Sequence, residues 1–498
     1  MTKKINLLIT AVSFFFGSLA SANSTQNIDT TDLVKSTLKS NGTVIHNRSQ
    51  KEVHSFKEMF QDGNIYGRLR NNNFYFHYNA EDPSHDSHLI SAFGASLVYN
   101  SALYNGFDFN LGLYGSHAFF RDNSDPVNTI KAGKDTLSRY DYANTGNKSL
   151  GIVGQLNVSY KVSDSRFIVG RQLVETFYTK SNDTKMVPNT FDGLVLNSQD
   201  IPNTKIVATY LYQQKLRDHL EGHSVLMVGD ENSTTGVRPE WSENDDAGML
   251  KGLTYSKLKA AGKPTDSPLI VFDLENRSIK DLKINFSSYI VPQLLAQAMG
   301  ELNYKVNFDG FSITTGVRYI QQFDNGAGAI AGPSLSVLLA GSTAYKDPNS
   351  LDAQMIAARV VTKVGDYKIN LGYTNILDKS DLVTPWRGFP TAGYTRSMGM
   401  YNWKANTKSY RLELVKGATN SGLYTSPFIQ TSILYIDGDI KKTAAADSMF
   451  YYFGIVQNIP SMKEFQYRVR VGYRDFIGDS QDFVSNYLDS RLEFNYLF

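Results

Sequence analysis

Cysteine is absent from all 498 residues. A small exported domain is ordinarily stapled by disulfides, so an exported chain of this kind must be held together another way. Long apolar runs are missing as well. The two nearest candidates, "SYIVPQLLAQAMG" and "PSLSVLLAGS", are short and broken by Pro, Gly and Gln, which excludes a transmembrane helix. Enzyme signatures are lacking too: there is no H-E-x-x-H, no G-x-S-x-G and no Walker loop. The eight His are scattered, and the closest group, His77, His85 and His88, reads as a strand end and a solvated loop rather than a metal site. The Asp/Asn-rich stretches 122–145 and 230–246 read as surface loops rather than calcium sites. These absences lead us to expect a chain that is no enzyme and carries neither metal nor cofactor.

A signal for export is present. Lys3 and Lys4 precede an apolar run from Ile5 to Phe16, and Ala20-Ser21-Ala22 supplies a small-x-small cleavage pattern, so residues 1–22 read as a secretory signal peptide. Its removal takes two Lys and no acid from the 50 basic and 48 acidic residues, leaving 48 of each. A neutral mature chain gives no global reason to expect a nucleic-acid partner. Residues 23–60 are polar and rich in Lys, Ser, Thr and Asn, and read as a periplasmic N-terminal arm, partly disordered. Residues 61–498 read as one domain, since no Pro/Ser-rich linker divides them.

Within that domain a two-residue period recurs between Asn, Gly and Asp punctuation. "GFDFNLGLYG" sets Phe107, Phe109, Leu111 and Leu113 against Asp108, Asn110 and Gly112; "GQLNVSYKV", "KSYRLELVKG" and "SRLEFNYLF" follow the same scheme. Asp309-Gly310 between two such segments predicts a tight hairpin. Alternation also fits a water-soluble sandwich. Three features favour a membrane barrel instead: Tyr and Phe at the ends of the apolar faces, alternation of short connections with long ones (119–149, 219–265), and a chain that ends on Phe498 with aromatics at 494 and 496. That last feature resembles the terminal signal read by the barrel-assembly machinery of outer membranes. At about 24 residues per strand and connection, the 434 residues from Ile65 to Phe498 accommodate about 18 strands. The expected fold is therefore all-β: a transmembrane antiparallel β-barrel with an inward loop constricting its pore.

Charge on the polar faces then acquires a meaning. In "YRVRVGYRDF", Arg468, Arg470 and Arg474 share a face opposite Tyr467, Val469, Val471 and Tyr473. An arginine facing hydrocarbon costs about 2–4 kcal/mol at the midplane, so these three are expected to face the lumen. Arg68 and Arg70 in "YGRLRNNNFYF", Arg318 in "TTGVRYI" and Arg411 in "KSYRLEL" are in phase with polar neighbours. Such a file of guanidiniums would draw carboxylates in and pass them on. Each one taken singly would equally well stiffen the wall through a salt bridge, with Glu413 or Glu493 as partner.

The segment 167–218 carries a resemblance. "GRQ", then "ND-x-K-MVPNTF-x-G", "DIPN" and "K-L-R-D", together with "GNIYGRLRNNNFYF" after the arm, resemble the OprD-type family of substrate-specific outer-membrane porins. The resemblance implies 18 strands, a narrow pore constricted by a loop, a ladder of basic residues on the wall, and a preference for small carboxylate-bearing solutes such as amino acids, organic acids and short peptides. Carried onto this chain, it implies that Arg171 of "GRQ" is a ladder arginine at the base of the constriction loop. Asp183, Lys185, Met186 and Pro188 would belong to that loop, with Lys185 where the family often has Arg. Outer-membrane lipid, lipopolysaccharide and the barrel-assembly machinery are the further partners it implies, as a monomer or homotrimer. Two alternatives stand beside it: a general porin with little selectivity, and a surface adhesin or receptor whose pore is incidental.

Overall fold

The computed structural model describes residues 34–79, 87–122, 135–226, 229, 249, 252–335, 344–442, 447–478 and 486–498. Eighteen long antiparallel strands close into a barrel. In chain order they are β1 (Asn64–Tyr78), β2 (Ser87–Asn100), β3 (Phe107–Asp122), β4 (Ser149–Val162), β5 (Ser165–Gln172), β6 (Thr190–Ser198), β7 (Thr204–Lys215), β8 (Leu269–Asn276) and β9 (Leu282–Val291). The second half comprises β10 (Leu295–Asn307), β11 (Phe311–Asp324), β12 (Ala353–Val364), β13 (Tyr367–Ile376), β14 (Thr407–Lys416), β15 (Phe428–Asp437), β16 (Ser448–Ile459), β17 (Met462–Phe476) and β18 (Tyr487–Leu497). Each strand pairs with its sequence neighbour, and β18 returns to β1 in the register Asn495↔Arg70, Glu493↔Asn72, Arg491↔Phe74. Closure leaves no unpaired strand edge, which a bilayer would penalise.

The two-residue period sorts side chains between lipid and lumen. On β11 Val317 is 55% exposed and Arg318 is 8% exposed; on β18 Leu492 is 38% exposed while Arg491 and Glu493 are buried. The exposed set (Leu156, Val158, Leu302, Leu371, Leu412, Ile433) forms the apolar outer belt, and Tyr160, Phe167, Tyr304, Phe311, Tyr367 and Tyr410 join it. Asp309-Gly310 makes the expected hairpin, with Phe308 and Phe311 bonded across it and Gly310 at φ +79. The connections at that end are short, apart from 417–427 between β14 and β15. Those at the other end are long, apart from 292–294. Among the described residues no helix is long and apolar enough to cross a membrane.

Over its described part the arm carries regular elements. Ser36–Leu38 pairs antiparallel with Val44–His46, and a short helix, α1 (Phe56–Gln61), follows. Ser55 caps α1 by accepting the Glu58 N–H, and Glu58 in turn accepts the His54 N–H. Met59 of this helix is buried with Val53 and Ala102, which ties the arm to the β2–β3 connection. A polar composition suggested disorder because so little of the arm is apolar. Its order comes from hydrogen bonds to the barrel, which composition does not reveal. Residues 1–22, and the remainder of the arm up to 33, lie outside the described residues, as do 230–246 and 123–134 of the stretch 122–145.

Candidate functional site: the lumenal constriction

On the β17–β18–β1 wall the arginines interleave with acids. Arg468 and Arg470 flank Glu493 of β18: Arg468 lies 3.4 Å from its carboxylate and Arg470 bonds it directly. One strand position further, Arg491 forms a two-pronged bond to Asp489 at 2.9 and 2.6 Å. Arg474 also faces inward, bonded to Ser448 and lying 4.3 Å over the Phe476 ring. Arg468, Arg470 and Arg474 thus share the inner face, but they are not equivalent rungs. The first two share a single carboxylate, and Gly472 separates them from the third.

The 173–189 loop folds back into the barrel. Asp183 takes both Arg68, at 3.2 Å, and Arg70, at 2.7 Å. The backbone carbonyl of Lys185 accepts from Arg70, and Met186 and Val187 are fully buried. Met186 lies against the space left by Gly94 on β2, and Pro188 closes the loop just before β6. Lys185 rests 4.3 Å over the Phe74 ring and 3.2 Å from Asp135. Burial pushes its amine down to about 7, with Arg491 and Arg217 pushing the same way against the pull of Asp135.

A second inward loop, 377–406, had no counterpart among the sequence expectations. Two glycines allow it to lie on its supports. A Cβ on Gly388 would meet the Phe177 carbonyl at 2.0 Å, and one on Gly372 of β13 would meet the Tyr394 carbonyl at 2.3 Å. Trp386 is fully buried and donates its Nε1–H to Val225, while Gly388 N–H bonds the Tyr178 carbonyl. The 173–189, 216–226 and 377–406 segments therefore brace one another. Arg318 and Arg359 hold the far end of this loop. Arg318 bonds Glu301 and donates to the Pro390 and Ala392 carbonyls at 2.6 and 3.0 Å. Arg359 donates to Gly393, and the Tyr394 ring lies between the two guanidiniums at 4.5 and 4.7 Å. Arg411 on β14 is bonded to Glu413.

These loops and β18 bring several charges together. Lys185, Arg217, Arg387, Arg396 and Arg491 stand opposite Asp135, Asp218 and Asp489. Arg217 lies 3.1 Å from Asp135. Arg396 is different: it bonds the Ser397 carbonyl and faces Phe389, Tyr401 and Trp403 at 4.4, 5.5 and 5.8 Å, with no carboxylate partner among the described residues. Burial lowers it to about 10, and the nearby Arg387, Arg491 and Arg411 add to that. An arginine stacked on aromatics with its hydrogen-bonding edge unfilled suits a transient carboxylate.

The expectation for Arg171 is corrected. It shares a face with Phe167, Val169, Leu156 and Leu194, all exposed on the outer belt, and its guanidinium grips Asp192 with two bonds of 2.7 Å. Its neighbours Ile168 and Gln172 take the inner face instead. The outer position is tolerable because Asp192, directly across the strand pair, neutralises Arg171 through that two-pronged ion pair. Lumenal residues absent from the sequence reading are Arg217, Arg359, Arg387, Arg396, Arg491, Asp135 and Asp489. Of these, Arg491 and Asp489 carried a signal, since they stand in phase with Glu493 opposite Leu488, Leu492 and Phe494, and Arg217 lies in the quoted K-L-R-D stretch. His85 lies outside the described residues, and among those described no group of three His, Cys, Asp or Glu could hold a metal.

Comparison with known proteins agrees with this architecture. A family model described as "outer membrane porin, OprD family" matches residues 60–474. OpdK of Pseudomonas aeruginosa, solved with vanillate, superposes with a TM-score of 0.63 at 13% identity, covering 87% of this chain and 98% of that one. OccK8 (OprE) of the same organism gives 0.64 at 16% identity, covering 88% and 99%. OccAB3 of Acinetobacter baumannii gives 0.61 at 14%, covering 87% and 99%. No curated protein matches the chain at the level of sequence.

Proposed function

The chain belongs to the OprD family of outer-membrane porins, and from that premise we propose that it is a passive channel selective for small carboxylate-bearing solutes. The observation carrying this reading is Arg396, a guanidinium of the constriction beside Arg387 and Arg491 and without an acidic partner among the described residues. Inside a narrow, partly desolvated lumen a guanidinium competes well for a carboxylate. Neighbouring cations weaken each site enough for the solute to move on. The wall arginines Arg68, Arg70, Arg468, Arg470 and Arg474 would supply the approach, each tempered by a neighbouring acid, carbonyl or hydroxyl. Vanillate in the OpdK structure is an aromatic carboxylate, a solute class that the aromatic box around Arg396 would suit. Channels reconstituted in planar bilayers test the reading. A carboxylate such as benzoate should reduce chloride current at low millimolar concentration, and Arg396→Ala should relieve that block. Current indifferent to carboxylates in the unaltered protein would refute it.

A further inference from the structure

The segment before α1 precedes the family-matched region, which begins at residue 60, and it lies on the barrel's inner side at the short-turn end. Thr37 and Leu38 are buried. Thr37 Oγ1 donates to the Ser421 carbonyl and Ser40 N–H donates to the Tyr424 hydroxyl, so the hairpin 36–46 is seated on the 417–427 connection, the longest at that end. Gln466, on the inner face of β17, donates to the Leu38 carbonyl at 2.8 Å. The hairpin turn reaches the constriction loop: a Cβ on Gly42, at φ +87, would come within 2.5 Å of the Thr184 methyl. Further along, the His46 ring stacks 3.8 Å from that of Tyr66 on β1, and Gln50 accepts from Arg166 on β5. The segment thus runs beneath the 173–189 loop from β15–β17 past β1 to β5.

A cavity of about 250 Å³ remains between it and the wall, lined by Arg48, Asn64, Asn110, Gln155, Asn157 and Arg166 among others. The two arginines differ. Arg166 is satisfied by Asp108, Ser159 and Gln50 at 2.6, 3.0 and 2.9 Å. Arg48 is exposed and has no carboxylate partner among the described residues. Around it the asparagine and glutamine amides can donate to an anion without competing for the guanidinium.

We propose that residues 35–50 form a second constriction in series with the loop constriction, and that Arg48 supplies a carboxylate subsite on the exit side. The series constriction is independent of the selectivity proposed above; the role of Arg48 rests on it. A solute leaving the Arg396 region toward the short-turn end would meet this segment, and Arg48 would offer the next unpaired positive charge in a gap lined by amides and by the mutually neutralised Arg166–Asp108 pair.

The cysteine-free chain permits a clean test. In Arg48→Cys channels, an anionic methanethiosulfonate reagent should lower chloride current and a cationic one should preserve it. Current unaffected by both would place residue 48 outside the path and overturn the proposal. Excision of 35–48, checked for folding by heat-modifiable migration, should raise single-channel conductance in potassium chloride. An unchanged conductance in a folded barrel would overturn the series constriction, whatever the outcome for carboxylates. Arg48→Ala should weaken benzoate block by about tenfold, the worth of one charge-assisted hydrogen bond. Unchanged block, with block still relieved by Arg396→Ala, would remove the subsite and leave the main selectivity standing.

Discussion

The two sides of the lumen use the same chemistry for different ends. On the β10–β12 side, Arg318 and Arg359 are bonded to Glu301 and Asn303 and are then capped by loop carbonyls from Pro390, Ala392 and Gly393. On the β17–β18 side, Arg468, Arg470 and Arg491 alternate with Glu493 and Asp489, and the loop approaches through Gly399, whose Cβ would stand 3.8 Å from Asp489. An inward-facing arginine is therefore a pore residue only where a loop does not rest on it. Arg318 was in phase for the pore and became a scaffold; Arg396, in a loop without periodicity, became the guanidinium with an unfilled edge.

The largest expected effect lies on the scaffold side. Glu301→Leu would leave Arg318 and Arg359 without their shared carboxylate while Arg318 remains buried under the loop. Stranding a buried charge in this way costs about 3–5 kcal/mol. We expect that loss in denaturant unfolding of the reconstituted barrel, with broadened conductance levels as the 377–406 loop loosens. A loss under 1 kcal/mol would show that the loop is held elsewhere, chiefly by Trp386. Arg396→Ala is expected to do the reverse: little change in unfolding, because no carboxylate is orphaned, but carboxylate block weaker by about tenfold.

Lys185 gives an intermediate effect that depends on pH. Its amine is lowered to about 7, so it carries charge below that value and loses it above. Because its folded-state value lies below that of the unfolded chain, its contribution to stability rises with pH across the window from about 7 to 10.5. Its contribution to anion preference falls as pH rises through 7. The charged groups around it are Asp135, Arg217, Asp489 and Arg491, and His223 in the adjacent loop, lowered to about 4 mainly by burial, stays neutral in that range. Reversal potentials between pH 6 and 8 should therefore drift in the unaltered channel and stay flat in Lys185→Arg. A drift that persists in the arginine variant would assign it to another group.

Arg171→Gln should have the smallest effect on permeation. It removes an outer-belt ion pair with Asp192, so anion selectivity should match that of the unaltered channel. A loss of selectivity there would return Arg171 to the pore and reverse the face assignment of β5.

Much of the barrel was legible because lipid imposes a period on every strand, and because Asp309-Gly310 marks a turn. The faces of "YRVRVGYRDF" followed from that period alone. Arg171 did not, since a charged residue can stand on either face when a cross-strand partner neutralises it, and only Asp192 decides. The 377–406 loop was illegible for another reason. Its position depends on Trp386 reaching Val225 and on Arg318 reaching Pro390, contacts 161 and 72 residues apart in the chain. Arg387 and Arg396 gather only after those contacts form, and no local pattern announces them.

The measurement that bears most directly on the central claim is the zero-current potential of single channels under a potassium chloride gradient, compared between the unaltered protein and Arg396→Ala/Arg491→Ala. The lumenal charge described here predicts an anion-selective potential that moves toward zero in the double variant. A cation-selective potential in the unaltered channel, or an anion-selective one that the double variant leaves unchanged, would contradict it.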